Sequence, residues 1–321
     1  MKKTALTIIG WVISIALLAS LATRMDFSTL WAGMLGASWF WLTAAAIINI
    51  AVVALKAQRW KQLMQTGQNV PYGGIFKATV IGMAGNNVLP ARGGDWMKIY
   101  LIDKWAGSGK AMLASVMGLD KLFDGLAILI LFGFLSFHST FPAWVQRGTM
   151  IVSIVIAVSL AICIILLLHH RRLRSDHQKD TGRLSRLASR FGSGMSALAS
   201  GNLVAATMVN SVFICLLQVA TIWCCQIAFG QHLDVWVPAL VYVAINLAII
   251  VPSAPSGIGP FEAAAVLAYG WLGVHTETAG GITLMYHAVQ FFPITIMGFI
   301  FYLGRGHSLK SPGPMVEKET T

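Results

Sequence analysis

The hydrophobic positions of the chain gather in long unbroken runs, unlike the alternating or one-sided patterns of soluble strands and helices. A helix that spans the hydrocarbon core needs roughly 20 apolar residues, because the core is about 30 Å thick and each residue rises about 1.5 Å. The runs near this length are 4–22, 38–56, 112–137, 149–168, 202–228, 236–252 and 281–303. They predict an all-α integral membrane fold.

Two shorter apolar runs, 75–89 and 261–273, adjoin breaks rich in Gly and Pro. The first break covers residues 86–95 and the second covers residues 252–262. Interrupted apolar segments in both halves of a chain are typical of broken helices that form a binding site. We therefore predict about eight transmembrane helices, with re-entrant or broken helices near 75–101 and 252–273 and a possible internal pseudo-symmetry.

Composition supports a membrane protein. The chain is 56% hydrophobic and 11% charged, with a mean hydropathy of +0.71. Soluble domains carry about 25% charged residues. The 23 Lys and Arg outnumber the 12 Asp and Glu, which gives a net charge of +11. In a soluble protein this excess would suggest nucleic acid, but the basic residues lie in loops between apolar runs. Membrane orientation and anionic lipid head groups explain them better, and no nucleic-acid partner is expected.

The basic residues also predict the orientation. They concentrate before the first run, after the second and last runs, and in the loop 169–201, whereas Arg24 and Arg147 lie on the other side. By the positive-inside rule, both termini face the cytoplasm, and the chain is expected in the cytoplasmic (inner) membrane as a multi-pass protein. This topology requires 75–101 to return to its own side and 261–273 to cross.

The chain is predicted to be one polytopic membrane domain, 1–307, followed by a disordered cytoplasmic tail, 308–321. In the basic cytoplasmic loop 169–201, apolar residues from Leu184 to Leu198 recur at helical spacing. This pattern fits either a helix in the head-group plane or an ordinary polar loop. The first run has some features of a signal peptide, but its length favours an uncleaved helix.

The first break contains residues suited to binding an anion. Glycines allow close backbone approach, Arg92 and Lys98 carry positive charge, and a helix starting near Asp95 would direct amides at a phosphate. The alternative is a cytoplasmic loop whose Arg and Lys obey the positive-inside rule. The candidate binding residues are Asn87, Arg92, Gly93, Gly94, Asp95 and Lys98.

The second break adds Ser256, Gly257, Gly259 and Glu262 as candidates. Glu262 either caps a helix that begins at Pro260, or receives a proton, a cation or a head-group amine. His287 lies within the last apolar run. It can hydrogen-bond to a neighbouring helix, relay protons, or contact a phosphate when charged.

A cluster of charges, Asp120, Lys121 and Asp124, lies near the start of an apolar run at spacings that bring helix neighbours together. We predict mainly a structural ion-pair role, and keep Lys121 and Asp124 as candidate binding residues. Arg59 and Trp60 are interpreted as an interface anchor. No catalytic residues, metal site or cofactor are predicted, because no nucleophilic, metal-binding or nucleotide-binding motif is present.

Four short blocks together resemble the flippase-like family named for the membrane region of lysylphosphatidylglycerol synthases. Arg59-Trp60 resembles its Arg-Trp pair, and residues 87–95 resemble its N-x-L-L-P-G-R-x-G-E block. Residues 121–124 resemble an R-x-x-D element, and residues 252–262 resemble P-x-S-P-G-G-x-G-x-x-E. Asp95 replaces the usual Glu, and Lys121 replaces the usual Arg. His287 lies near a position that is basic in many members, so positive charge there depends on pH.

The resemblance implies a lipid-binding membrane protein, a flippase or transporter of a phospholipid or polyprenyl-phosphate-linked lipid. Its expected partners are membrane lipids with an anionic phosphate head group. The soluble synthase domain is absent from this sequence, so we do not expect it to make lysyl-lipid. Two alternatives remain. In the first, the chain is itself a glycosyl or aminoacyl transferase acting on a lipid, or is the membrane subunit of such a transferase with a soluble partner. In the second, it is a structural scaffold.

Overall fold

The computed structural model of the protein describes residues 2–64, 70–137, 143–175, 194–251 and 253–304. These residues form helices joined by turns, with no strand among them, so the all-α prediction is confirmed. The helices are α1 (Lys2–Ala22), α2 (Phe27–Gly36), α3 (Trp39–Met64), α4 (Tyr72–Val88), α5 (Gly93–Ala106), α6 (Lys110–Ser136), α7 (Ala143–Ser175), α8 (Gly201–Ala228), α9 (Val237–Ala248), α10 (Pro260–Trp271) and α11 (Thr276–Leu303).

Four helices of the described ranges are long and apolar enough to span a membrane: α3, α7 over Ala143–Ile162, α8 and α11. The pair α1 and α2, bent by 90°, is a fifth candidate. The prediction of about eight spanning helices exceeds this number. α6 has 27 residues, but Asp120, Lys121 and Asp124 fall within every 18-residue stretch of it. α9 and α10 have 12 residues each, too few to cross about 30 Å alone.

The first break is a tight helical hairpin. α4 ends at Val88, a 3₁₀ turn covers Pro90–Arg92, and α5 returns along α4. A β-carbon on Gly94 would lie 1.9 Å from the carbonyl oxygen of Gly82, so only glycine allows the two backbones to approach this closely. Asn86 then joins the helices: its amide donates to Asp95 Oδ1 (2.9 Å), and its Oδ1 accepts from the Asp95 backbone N–H (3.1 Å).

The second break follows the same order of helix, 3₁₀ turn and helix: α9, Pro255–Gly257 and α10. Ser14 of α1 stabilises it, because its hydroxyl donates to the Ile258 carbonyl (2.6 Å) and accepts from the Ala254 N–H (2.8 Å). Gly259 has φ 98° and lies where a β-carbon would be 2.7 Å from the Cα of Ser14. The shared order agrees with the pseudo-symmetry, which stays a prediction.

α3 and α11 lie at the centre of the bundle. α3 packs against α4, α6, α8 and α11, and α11 also packs against α4 and α10. One apolar core joins α8, α9, α10 and α11, and a second joins the first hairpin to α3 and α6. Both breaks are therefore held against the same central helices. Most of the amphipathic pattern predicted from Leu184 to Leu198, and the tail 308–321, lie outside the described residues.

Candidate functional site

The two breaks line one cavity of about 860 Å³. From the first break come Asn86, Asn87, Leu89, Pro90, Arg92 and Gly93, and from the second come Ser253, Ala254, Pro255, Ser256 and Gly257. Helices α3 and α11 close the cavity with Asn49, His287 and Gln290. Segments that are far apart in sequence thus meet at one cavity, which is lined by polar as well as apolar groups.

Both breaks contain a strained residue that lines the cavity. Arg92 has φ 54° and ψ 39°, and Ser256 has φ 63° and ψ 2°. They are the only non-glycine residues with positive φ in the described ranges. A left-handed backbone costs a side-chain-bearing residue roughly 1–2 kcal/mol, and such strain clusters at functional sites. The chain therefore retains an unfavourable conformation at two positions that place polar side chains at the same hollow.

A continuous hydrogen-bonded chain, the Ser256–His287–Glu262 relay, leads from the cavity into the core. Ser256 Oγ lies 2.8 Å from His287 Nε2, and His287 Nδ1 lies 2.5 Å from Glu262 Oε1. The other oxygen of Glu262 accepts the Gly259 N–H at 2.7 Å. Glu262 is 4% exposed and His287 is 8% exposed. The relay thus connects a polar group facing the cavity to a buried acid.

The cavity lies at mid-depth along two helices long enough to span. At 1.5 Å a residue, His287 is about 17 Å from the start of α11 and about 24 Å from its end. Asn49 is about 15 Å from the start of α3 on the same measure. A buried ionisable pair at this depth marks a functional site by default, because placing it there is costly.

Comparison with known proteins identifies the family. The family described as the lysylphosphatidylglycerol synthase TM region matches residues 7–298. The chain belongs to this family. A UPF0104 membrane protein from Methanothermobacter thermautotrophicus is 25% identical over 293 residues, which cover 83% of this chain and 86% of that protein. A UPF0104 membrane protein from Methanocaldococcus jannaschii is 21% identical over 231 residues, which cover 71% of this chain and 97% of that protein.

Arg92 is the cation of the cavity. It is exposed, and none of its side-chain nitrogens has a hydrogen-bond or ion-pair partner among the described residues. It immediately precedes α5, whose first turn is fixed against α4 by Asn86 and Asp95. Arg92 can therefore meet an incoming anion without first breaking an ion pair.

Lys98, predicted to share the anion with Arg92, faces away from the cavity. It is buried, with its Nζ 3.6 Å from the centre of the Trp60 ring, and it is not among the cavity-lining residues. The reason is helical geometry: Lys98 follows Gly94 by one turn, and that face of α5 packs against α4 and the core. Its ammonium lies over the face of the indole ring, which is a cation–π contact.

The interpretation of Arg59 as an interface anchor is wrong. Arg59 is fully buried, its Nε donates to Asp120 (2.7 Å), and Nη2 donates to Asp124 (2.7 Å). Nη1 donates to Ser211 (3.0 Å). The ion-pair role expected for the acidic cluster therefore holds in the geometry, but with Arg59 of α3 as the partner. Lys121 instead approaches Asp95 at 3.8 Å.

The candidate residues divide into two groups. Asn87, Arg92, Gly93, Ser256, Gly257 and His287 line the cavity. Gly94, Asp95, Lys98, Lys121, Asp124, Gly259 and Glu262 lie behind it, where they fix the hairpin, the ion pairs or the relay. The prediction omitted Asn49, Asn86 and Gln290, although polar amides in or beside apolar runs are a usable signal.

Proposed function

We propose that the protein binds a lipid with an anionic phosphate head group in this cavity and moves the head group across the cytoplasmic (inner) membrane. The lipid is a phospholipid or a polyprenyl-phosphate-linked lipid. In this proposal both termini lie on the cytoplasmic side, as the positive-inside rule predicts. The observation that carries the proposal is the pair of strained residues, Arg92 and Ser256, which present a cation and a hydroxyl to one mid-depth cavity.

The chemistry of the cavity favours an anion. Arg92 supplies a guanidinium that has no partner among the residues that the structure describes, and this group is the best suited to bidentate contact with phosphate. Ser256 and Gln290 add neutral hydrogen-bonding groups. A charged head group is tolerated between the helices, where polar groups can pair with it, and not in the hydrocarbon core itself.

The surroundings of the cavity favour a lipid over a free anion. Its rim includes the exposed apolar side chains of Leu89, Trp96, Ile250 and Val251. A second, largely apolar groove of about 290 Å³ also includes Val251. A cavity that offers polar groups beside apolar surface suits a molecule with a charged head and hydrocarbon tails, because each part then meets a matching surface.

The alternative of a lipid-modifying transferase has less support in the same geometry. The order Ser256, His287 and Glu262 resembles a hydrolase relay, which would need backbone amides near the serine to stabilise an oxyanion. The next two amides are used within the turn: Gly257 N–H donates to Ala254 (3.1 Å), and Ile258 N–H donates to Pro255 (3.5 Å). Binding through the hydroxyl needs neither amide.

The test is lipid movement in vesicles containing the purified full-length protein. A fluorescent phospholipid in the inner leaflet becomes accessible to a membrane-impermeant quencher only after it crosses. Loss of a charged hydrogen bond costs about 1.5–3 kcal/mol, so Arg92→Ala is expected to slow crossing roughly ten- to hundredfold. Glu262→Ala is expected to slow it as well, because the relay loses its acid.

The matched control is Arg24→Ala, which removes an exposed arginine outside the cavity. It is expected to leave the crossing rate unchanged. Two results would refute the proposal: wild-type protein that moves no labelled lipid, or Arg92→Ala and Glu262→Ala proteins that move it as fast as the wild type.

A further inference from the structure

We infer that the anionic head group binds together with one proton, which is held by His287 in the Ser256–His287–Glu262 relay. This inference rests on the proposed function and adds the coupling ion. Transport would then be linked to protons: the lipid anion and the proton occupy the cavity together and leave it together.

The hydrogen bonds define the resting state of the acid. Glu262 Oε2 accepts the Gly259 N–H, and Oε1 faces His287 Nδ1. A carboxylate that receives a donor at each oxygen is stabilised in its charged form. The Nδ1–H bond to Glu262 also fixes the tautomer, so that the neutral ring presents an unprotonated Nε2 to Ser256.

Protonation of Nε2 reverses the role of the serine. When His287 is neutral, Ser256 donates its hydroxyl proton to Nε2 and offers only lone pairs to the cavity. When His287 carries a second proton, Nε2–H donates to Ser256 Oγ, and the hydroxyl proton turns to the cavity. An anionic oxygen needs a donor, so it selects the protonated relay.

The charges of the site lead to the same conclusion. Arg92 and His287 are the ionisable residues among those that line the cavity, and Glu262 lies directly behind His287. Helices α3 and α4 contribute the neutral amides of Asn49, Asn86 and Asn87, and α1 contributes Trp11. Around His287 itself, Phe261 and Phe291 are aromatic neighbours.

These groups sum to zero charge in the empty site with neutral His287: Arg92 is positive and Glu262 is negative. Asp95 does not change this sum at the cavity, because it lies behind Asn86 and approaches Lys121. A monoanionic head group alone would leave a net negative charge in a low-dielectric region. Arrival of one proton with the anion restores neutrality, which is the less costly state in a membrane.

The inference predicts a measurable linkage. If one proton enters with each lipid, the apparent affinity falls tenfold for each pH unit above the transition, by reciprocity of the two binding events. The probe is dihexanoyl phosphatidylglycerol, a short-chain monoanionic lipid, titrated calorimetrically into detergent-solubilised full-length protein. Repeating the titration in two buffers of different ionisation enthalpy counts the protons taken up.

The expected result for the wild type is uptake approaching one proton per lipid at the alkaline end of the range. His287→Gln is expected to bind with no proton uptake and with an affinity independent of pH. Ser256→Ala keeps the His287–Glu262 pair, so it is expected to bind more weakly while still taking up the proton. This variant, together with the wild-type proton count, keeps the test decisive if His287→Gln does not fold.

Two further probes separate the possible ligands. Dihexanoyl phosphatidylcholine carries a choline cation that balances its phosphate, so the site reaches neutrality without an added proton, and we expect fewer protons to be taken up per lipid than with phosphatidylglycerol. Inorganic phosphate lacks hydrocarbon tails and is expected to bind far more weakly; equal binding would overturn the assignment to a lipid. Wild-type binding of phosphatidylglycerol without proton exchange overturns the coupling and leaves the proposed function standing. No binding of either lipid to the wild type overturns both.

Discussion

Replacing Gly94 with alanine is expected to open the α4–α5 hairpin and to displace Arg92 from the cavity. The added β-carbon would lie 1.9 Å from the Gly82 carbonyl oxygen and 2.4 Å from the Asn86 nitrogen, both backbone atoms. Ordinary contacts begin near 3.4 Å. The helices must therefore separate locally by about 1.5 Å, and overpacking of this kind costs about 1–3 kcal/mol.

The separation also affects the polar lock between the helices. The two Asn86–Asp95 hydrogen bonds, at 2.9 and 3.1 Å, would stretch beyond hydrogen-bonding range. Each contributes about 0.5–1.5 kcal/mol, or more where the carboxylate is charged. We expect the free energy of unfolding to fall by about 3 kcal/mol in total. For a chain of this size, each kcal/mol changes Tm by about 2 °C, so Tm should fall by roughly 6 °C.

The assay is thermal unfolding of the purified protein in detergent, paired with the vesicle measurement of lipid movement. Gly73→Ala is the control, because it adds a methyl group to α4, the other helix of the hairpin, at a position where nothing lies within 4 Å. It is expected to leave Tm unchanged or slightly higher, since alanine is the better helix former. A Gly94→Ala protein that has the same Tm as this control and moves lipid at the wild-type rate would refute the close packing of the hairpin.

Three further predictions concern residues around the cavity. Arg59→Met should lower stability by about 3–5 kcal/mol in thermal unfolding, because it leaves Asp120 buried without its cation. Ser14→Ala should destabilise the second break, since two backbone groups lose their partner at about 1–3 kcal/mol each. Ser256→Gly should be more stable than Ser256→Ala by roughly 1–2 kcal/mol, because only glycine tolerates the left-handed backbone.

Thermal unfolding of matched variants tests each of these three predictions. For Arg59, the control is Lys61→Met on the same helix; equal Tm values for the two variants would mean that the ion pairs contribute little. For Ser14, the control is Ser20→Ala at an exposed position of α1. For Ser256, equal stability of the glycine and alanine variants would argue against strain at this residue.

The sequence predicted the helices and the two breaks well, because both depend on local composition. Runs of about 20 apolar residues have few alternatives to a helix in lipid, and Gly and Pro interrupt such runs for local steric reasons. Local sequence was also enough to choose three candidate residues, Arg92, Glu262 and His287, because each is an ionisable residue within or beside an apolar run.

The wrong or missing assignments involve pairs distant in sequence. Arg59 stands at the end of an apolar run, where an interface anchor is the default, yet its acidic partners are 61 and 65 positions away. The relay joins residues 25 and 31 positions apart. Lys98 was wrongly expected at the cavity. Its side of α5 faces inward because Gly94 packs closely against α4, and this contact cannot be predicted from the sequence of α5 alone. Tertiary packing decided each of these.

The head-group site between the two breaks is tested most directly by native mass spectrometry of the protein purified from its own membrane. We expect the wild-type and Arg24→Ala proteins to retain a phosphate-bearing lipid, and the Arg92→Ala protein to lose most of it. A wild-type protein free of bound lipid, or the same lipid retained equally after Arg92→Ala, would contradict the claim that the two breaks form a head-group site.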